Sequence, residues 1–383
     1  MNFVFVSNYL NHHQIPFCLE MNRLTEGRFI FVATEPMEEE RLKMGYKEAN
    51  NGFCFVLRAY ESEENKNAAL QLCYDCDVLI YGSCPDEYFK TRVKAKKLTF
   101  KYGERFFKTP FTLKNFAKRT LSMLKHVIPY QNKNHHLLCA SAYMVSDCAL
   151  YGCFKNRCLQ WGYFPECKKY DDIDVLIASK KKNSLLWCGR LIDWKHPELA
   201  IEVAKRLKAE GYDFTLDIVG NGVLEGKIAD MISNNSLSDC VFMRGAMSPE
   251  KVREYMEQSE IYLFTSDRQE GWGAVLNESM NSACAVVADR AIGSAPFLID
   301  DGKNGYLYED GDIDALYEKT KKLLDNADER KRLARNAYFT MVSEWNAENA
   351  AKKFLVLCER MLAGEYKPFP FESGVCSKAE ILK

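Results

Sequence analysis

Glu270 and Glu278 flank a Gly271-Trp272-Gly273 turn in the segment SDRQEGWGAVLNESMNSACAVVAD, residues 266–289. The segment follows an apolar run and passes through the two glycines into a helix-like stretch. Glycine at a helix mouth lets the backbone approach a ligand closely, and the unpaired amides of the first turn attract anions such as phosphate. Glu270 then lies in the loop and Glu278 more than a turn into the helix, too differently placed for a simple acid/base pair. A carboxylate facing two vicinal hydroxyls clamps a ribose or a sugar, so two carboxylates around a phosphate cradle describe a nucleotide-sugar. A capped, solvated helix bearing surface glutamates fits the same spacing. In CGRLIDWKHPELAIEVAKRL, residues 188–207, Arg190 and Lys195 stand between a strand and a helix that opens with Pro197, a favoured first residue. A guanidinium beside an ammonium suits a diphosphate, and a solvated loop pair is the alternative.

Weaker signals surround these. Asn8, His12 and His13 follow the first strand candidate, where one imidazole is placed to meet a donor phosphate or an acceptor hydroxyl, against helix capping or surface exposure. His135-His136 reads as part of a polar loop. Gly220-Asn221-Gly222 lacks the G-x-G-x-x-G spacing, since the next glycine is Gly226. Cys73 and Cys76 have zinc-like spacing without a second close pair, and 15 cysteines, an odd number, point to a reduced compartment with most thiols as core filling.

The elements that must hold these residues are short β-branched or aromatic runs alternating with amphipathic stretches. Strand candidates in the first half are Phe3–Val6, Phe29–Ala33, Phe53–Arg58, Asp77–Tyr81 and Lys97–Lys101, with helices near 64–73 and 114–126. The second half alternates more cleanly, with strands at 185–189, 214–220, 240–244, 261–265 and 284–288 and helices between them. Such alternation predicts α/β architecture with parallel sheets covered on both faces. Two Rossmann-like domains result, with ligand sites at the carboxyl ends of strands and therefore in a central cleft. The turn at Gly162–Pro165 sets expected domains of 1–165 and 166–344, followed by a helix and a loosely held tail over 345–383.

The 383 residues are 47% apolar and 27% charged, ordinary for a globular chain. The longest apolar run is only Ala283 to Ala288, far short of the roughly 20 residues of a spanning helix, and the amino end lacks a secretory pattern, so a cytoplasmic protein is expected. A net charge of −1 argues against nucleic acid as partner. Residues 1–165 nevertheless carry 22 basic against 16 acidic side chains, and residues 166–383 carry 30 against 37. Much of the excess lies in residues 90–125, with twelve Lys or Arg against Glu104 alone, interleaved with Phe100, Tyr102, Phe106, Phe107, Phe111 and Phe116. Such a segment suits an anionic membrane surface or an anionic acceptor, with a solvated basic face as the alternative.

In order and spacing, GRLxxWK, VGNG, the Arg244-Gly245 pair, EGWGAVLNE with its E-x7-E, and GKNGYLY closely resemble the donor domain of family 4 of the retaining glycosyltransferases over about residues 184–362. The resemblance implies the GT-B fold: an acceptor-binding amino-terminal domain, a donor-binding carboxyl-terminal domain, and a last helix crossing back onto the first. It further implies that Arg190 and Lys195 hold the diphosphate of a UDP- or GDP-sugar and that Glu278 clamps the ribose. Glu270 would contact the donor sugar, the amides of Gly271, Trp272, Gly273 and Ala274 would meet phosphate or sugar, and Arg244 to Ala246 would face the base. Catalysis would be retaining and metal-independent, with no cofactor, on a glycan or lipid-linked acceptor in cell-surface polysaccharide or glycolipid synthesis, peripheral to the inner membrane face. The chain departs from the pattern at SNYLNHHQ, where a Gly-Gly pair is frequent, and at Phe297, where Glu is usual. The alternatives are a non-hydrolysing nucleotide-sugar epimerase and a non-catalytic nucleotide-sugar-binding protein.

Overall fold

The computed structural model describes residues 1–38, 48–109 and 112–382, so Phe111 lies outside the described residues. The chain divides into two compact units: Met1–Glu166 with Asn346–Lys383, and Cys167–Trp345.

The first unit is built on a parallel sheet in the order β3-β2-β1-β4-β5-β6-β7. Its strands are β1 (Phe3–Ser7), β2 (Phe29–Ala33), β3 (Val56–Arg58), β4 (Val78–Tyr81), β5 (Thr99–Gly103), β6 (His135–Cys139) and β7 (Cys158–Gln160). The helices between them are α1 (Ile15–Leu24), α2 (Glu63–Asp75), α3 (Lys90–Lys94), α4 (Leu113–His126) and α5 (Met144–Ala149). Central strands are buried on both faces, which is why FVFVS in β1 and VLIY in β4 read as unbroken apolar runs.

The second unit has α6 (Ile173–Ser179), then β8 (Lys181–Cys188), α7 (Pro197–Ala209), β9 (Thr215–Val219), α8 (Glu225–Asn234), β10 (Val241–Gly245), α9 (Pro249–Gln258) and β11 (Ser259–Phe264). It continues through α10 (Ala274–Asn281), β12 (Ala285–Asp289), α11 (Ala295–Leu298), β13 (Tyr306–Tyr308), α12 (Ile313–Asp325) and α13 (Ala327–Ser343). Its parallel sheet has the order β10-β9-β8-β11-β12-β13, so β8 and β11, the strands that feed the two motif loops, are neighbours at its centre. Helix α14 (Ala347–Leu362) belongs to the first unit, where it packs along α1 and buries Phe354 against Phe17, Phe100 and Trp161 at centroid distances of 6.2, 5.0 and 5.5 Å.

Two expectations change. His135 and His136 open β6 and are buried rather than looped. His135 Nε2 lies 3.0 Å from the Tyr81 hydroxyl and Nδ1 2.8 Å from the Tyr130 carbonyl, and burial pulls the two pKa values down to about 4 and about 3. The tail is held: Cys376 N donates to the Gln160 carbonyl (2.9 Å), Gln160 N to that of Ser377 (2.8 Å) and Ala379 N to that of Cys158 (2.9 Å), extending the sheet past β7. Within the basic stretch the cations divide between surface and interior. Arg92 is 1% exposed and donates to the carbonyls of Tyr74, Cys76, Asp77 and Leu98 at 2.6–2.9 Å. That guanidinium caps the end of α2, where Cys73 and Cys76 sit as buried thiols whose pKa burial raises, to about 11 for Cys76. No helix among the described residues is long and apolar enough to cross a membrane.

Candidate donor site

The loop after β8 is fixed by the loops beside it. Trp187 Nε1 donates to Thr265 Oγ1 (2.8 Å), and that hydroxyl donates to the carbonyls of Lys195 and His196 (2.8 and 2.9 Å). Asp267 N donates to the Trp194 carbonyl at 3.0 Å. On the other side the Gly220–Gly222 turn lies directly on the Gly189–Leu191 backbone. A Cβ at Gly220, whose φ is +134°, would fall 1.9 Å from the Gly189 carbonyl oxygen. These glycines therefore serve close packing of backbone on backbone, not a dinucleotide fingerprint. Gly273, with φ +84°, is the residue before α10, and a Cβ there would meet Phe264 Cζ at 2.6 Å. Among the described residues no side chain caps α10 and no acid stands in its first turn, so the start of the helix carries the partial positive charge that favours an anion.

Around this frame Lys195 Nζ forms an ion pair with Glu270 Oε2, which also accepts from Ser266 Oγ at 3.2 Å. The two charged side chains are only 12% and 11% exposed. Arg190 is exposed, its guanidinium 5.7 Å from the Trp194 ring centroid, and has no carboxylate partner among the described residues. Glu278 is partly buried, and burial raises its pKa, partly offset by Arg253. Its backbone carbonyl accepts from Arg253 Nη1 (3.2 Å) and Ser282 Oγ (2.8 Å), yet no described residue hydrogen-bonds its carboxylate. Burial, followed by the Glu278 charge, pushes the Cys188 thiol up to about 12, which places that carboxylate beside the end of β8.

The structure thus brings Arg190, Lys195, Glu270, Gly271, Gly273, Ala274 and Glu278 to the carboxyl edge of one sheet. Trp272 contributes there by its backbone alone. Its indole is wholly buried, donating to Asn277 Oδ1 (2.9 Å) and packing 5.9 Å from Trp345. Phe297 completes that aromatic cluster by stacking on Trp345 at 5.9 Å, so the position where a glutamate is usual is spent on packing. Arg244 and Gly245 end β10 at the sheet's outer edge, and Arg244 Nε is already held by Asp217 Oδ1 at 2.6 Å. Asn8, His12 and His13 belong to the first unit, after β1, with His13 stacked on Tyr163 at 3.9 Å.

Two site residues escape a reading of spacing. Ser266 orients Glu270, and the position just past a strand is its only signal. Asp289, the last residue of β12, accepts from the amides of Ala291 (2.8 Å) and Gly311 (3.1 Å), and burial raises its pKa to about 7.

The profile of the family described as "Glycosyl transferases group 1" matches residues 169–339. That stretch, a little under half of the chain, is similar to the group 1 glycosyl transferases. The amylovoran biosynthesis glycosyltransferase AmsK of Erwinia amylovora is 28% identical to this chain over 182 residues, 46% of this chain and 44% of AmsK. The poly(ribitol-phosphate) alpha-N-acetylglucosaminyltransferase of Staphylococcus aureus is 31% identical over 171 residues, 44% of this chain and 34% of that enzyme. The chain therefore spans less than half the length of either relative, and both matches are of group 1 domain size. Beyond that domain the likeness is one of fold. HepE of Anabaena, solved in complex with UDP, has a TM-score of 0.67 at 14% identity, covering 93% of this chain and 99% of HepE. A glycosyltransferase of Rickettsia africae gives 0.64 at 15%, covering 94% and 98%. The two Rossmann-like units have the GT-B fold.

Proposed function

We propose that the protein is a retaining glycosyltransferase that moves a sugar from a UDP- or GDP-sugar to an acceptor hydroxyl in cell-surface polysaccharide or glycolipid synthesis. The observation that carries this reading is a set of groups on one sheet edge: the Arg190 guanidinium and the Glu278 carboxylate, neither with a side-chain hydrogen bond among the described residues, and the amides of α10, which no described side chain caps. Together they match a diphosphate and a ribose diol. Glu278 accepts from the two ribose hydroxyls. Arg190 and the α10 amides hold the diphosphate. Lys195 stands between Glu270 and the phosphate, so one ammonium positions the carboxylate that meets the sugar and neutralises charge on the leaving group.

In the transfer step the acceptor oxygen bonds to the anomeric carbon as the bond from that carbon to the phosphate oxygen breaks, on the same face. The acceptor's proton passes to the departing phosphate oxygen. Charge developing on the diphosphate is met by Arg190, Lys195 and the helix amides, an arrangement that works without a metal ion. Asn8, His12 and His13 form the acceptor-side group of the first unit. The basic, aromatic stretch 90–125 brings the enzyme to an anionic membrane surface, although Arg92 is withdrawn into the core and Arg105 pairs with Asp147 at 3.5 Å.

Thermal-shift titration with UDP- and GDP-sugars tests the reading. A true donor at 100 times its dissociation constant should stabilise by about 2.7 kcal/mol. Retention of configuration in the product, measured by NMR with turnover in EDTA, checks the chemistry. Inversion, a metal requirement, or epimerisation of the sugar without an acceptor would replace it.

A further inference from the structure

The carboxyl edge of the first sheet holds a cavity of about 440 Å³. Its floor is formed by Tyr81 to Cys84 after β4 and Lys101 to Phe107 at the end of β5, and its roof by Arg119, Ser122, Met123 and His126 of α4. The acids at its wall are already engaged. Asp86 pairs with Lys90 and lies 3.4 Å from His126 Nδ1, while Glu104 pairs with Lys108 and accepts from the Tyr163 hydroxyl at 2.7 Å. Lys101 has no carboxylate and no hydrogen-bond acceptor among the described residues. Its Nζ lies 5.0 Å from the Tyr81 ring centroid, and burial lowers its pKa. The fully buried cations of this chain are treated differently. Arg92 donates to a ring of carbonyls, and Lys180 Nζ donates to those of Met256, Ser259 and Ser282 at 2.8–2.9 Å. Lys101 is a partly buried cation at the cavity wall with no counter-charge paired to it among the described residues, a place where an anion is favoured.

The roof is turned the opposite way from a soluble protein's helix. At about 100° per residue, Arg119, Ser122, Met123 and His126 share the face over the cavity, while Leu113, Leu121 and Leu124 share the outer face. Those leucines are 91%, 68% and 53% exposed. Lys114, Lys118 and Lys125 line one border of the leucine stripe, as cations do on a helix lying at the headgroup level of an anionic bilayer.

We propose that the cavity binds the diphosphate head of a lipid-linked acceptor through Lys101, while the leucine face of α4 lies in the membrane that holds the lipid tail. The role of acceptor rests on the glycosyltransferase reading, whereas the binding of a lipid diphosphate does not. A free diphosphate shares the head's chemistry and lacks the tail, so the two sources separate by experiment.

The test uses the full chain in an Arg190→Ala, Lys195→Ala background, which removes both cations of the diphosphate clamp of the second unit. Inorganic diphosphate should raise the melting temperature, and phosphatidylcholine vesicles doped with farnesyl diphosphate should sediment the protein. Lys101→Met should abolish the thermal shift and weaken vesicle binding about tenfold or more. Ser122→Glu, which leaves Lys101 in place and adds a carboxylate to the roof, should do the same if Lys101→Met fails to fold. Leu121→Glu with Leu124→Glu should abolish vesicle binding and leave the diphosphate shift intact. A diphosphate shift that survives both cavity variants overturns the site. Equal sedimentation with phosphatidylglycerol vesicles lacking farnesyl diphosphate shows a general anionic surface and overturns the specific head. Vesicle binding that survives the leucine variants overturns the membrane face. Intact lipid diphosphate binding in a protein that binds no nucleotide-sugar would refute the transferase reading alone.

Discussion

The two sheets end in carboxyl edges of opposite character. In the second unit, loops are bolted to one another by backbone and glycine: Gly220 on Gly189, Gly273 on Phe264, Thr265 on the carbonyls of Lys195 and His196. In the first unit the corresponding edge opens into a cavity under α4, a helix whose one buried residue is Met123. A rigid edge suits a ligand whose shape does not vary, and the diphosphate and ribose of a nucleotide-sugar are such a ligand. A roof held by few contacts can be reshaped without unfolding the sheet below. The family match follows the same division, covering residues 169–339 and none of the first unit.

The largest effect that would break this contrast is on turnover. Arg190→Ala and Lys195→Ala should each lower kcat by about 10²–10³-fold, since their proposed work is on charge that develops in the transition state. Steady-state kinetics with circular dichroism as a folding check measures this, and a wild-type rate in either variant would remove that cation from the chemistry. Next comes donor affinity: Glu278→Gln should weaken binding by about 1.5–3 kcal/mol by calorimetry, the range for hydrogen bonds to a charged group. Gly273→Ala should cost donor affinity and roughly 1–3 kcal/mol of stability through strain at a positive φ, because the second edge has no slack.

The two units should also respond to pH with opposite sign. Buried neutral His135 and His136 bind fewer protons folded than unfolded, so their contribution is lost as pH falls from about 6.5 through about 4. Asp289 binds its proton more tightly folded than unfolded, so its contribution is lost as pH rises from about 4 through about 7. Peptide-resolved hydrogen exchange between pH 5 and 8 should show protection falling at β6 on acidification and at β12 on alkalinisation, and Asp289→Asn should flatten the second trend. The smallest effect sharpens the comparison from the other side. Leu113→Ser and Leu121→Ser on α4 should change stability by no more than about 0.5 kcal/mol, as expected for side chains with little burial to lose.

Much of the second unit is legible in the sequence because each strand there is a short apolar run bounded by turn residues and each helix has an apolar stripe. The first unit is less so, and β6 shows why. Its two leading histidines look polar, and only burial against Tyr81 and Phe100 makes them neutral strand residues. In the candidate site, charge type and strand-end position pointed to Arg190, Lys195, Glu270 and Glu278 as residues that share one edge. The Trp272 side chain was not legible, because it answers to Phe297 and Trp345, partners that spacing within the motif does not reveal. Lys101 looked like one of twelve similar cations, and only the positions of Asp86, Glu104 and α4 set it apart.

Phe354 gives the chain a particular order of assembly. The aromatic side chains it covers, among them Phe3, Phe17 and Phe100, leave the ribosome early, while α14 is made after the whole of the second unit. At about 5–20 residues per second, that interval lasts on the order of ten seconds or more. Throughout it a nascent first sheet presents an uncovered aromatic face, the kind of surface on which chaperones act and chains misassemble. Protein yield should therefore depend on how quickly the stretch after Trp345 is translated and docked, even for variants whose finished stability is unchanged.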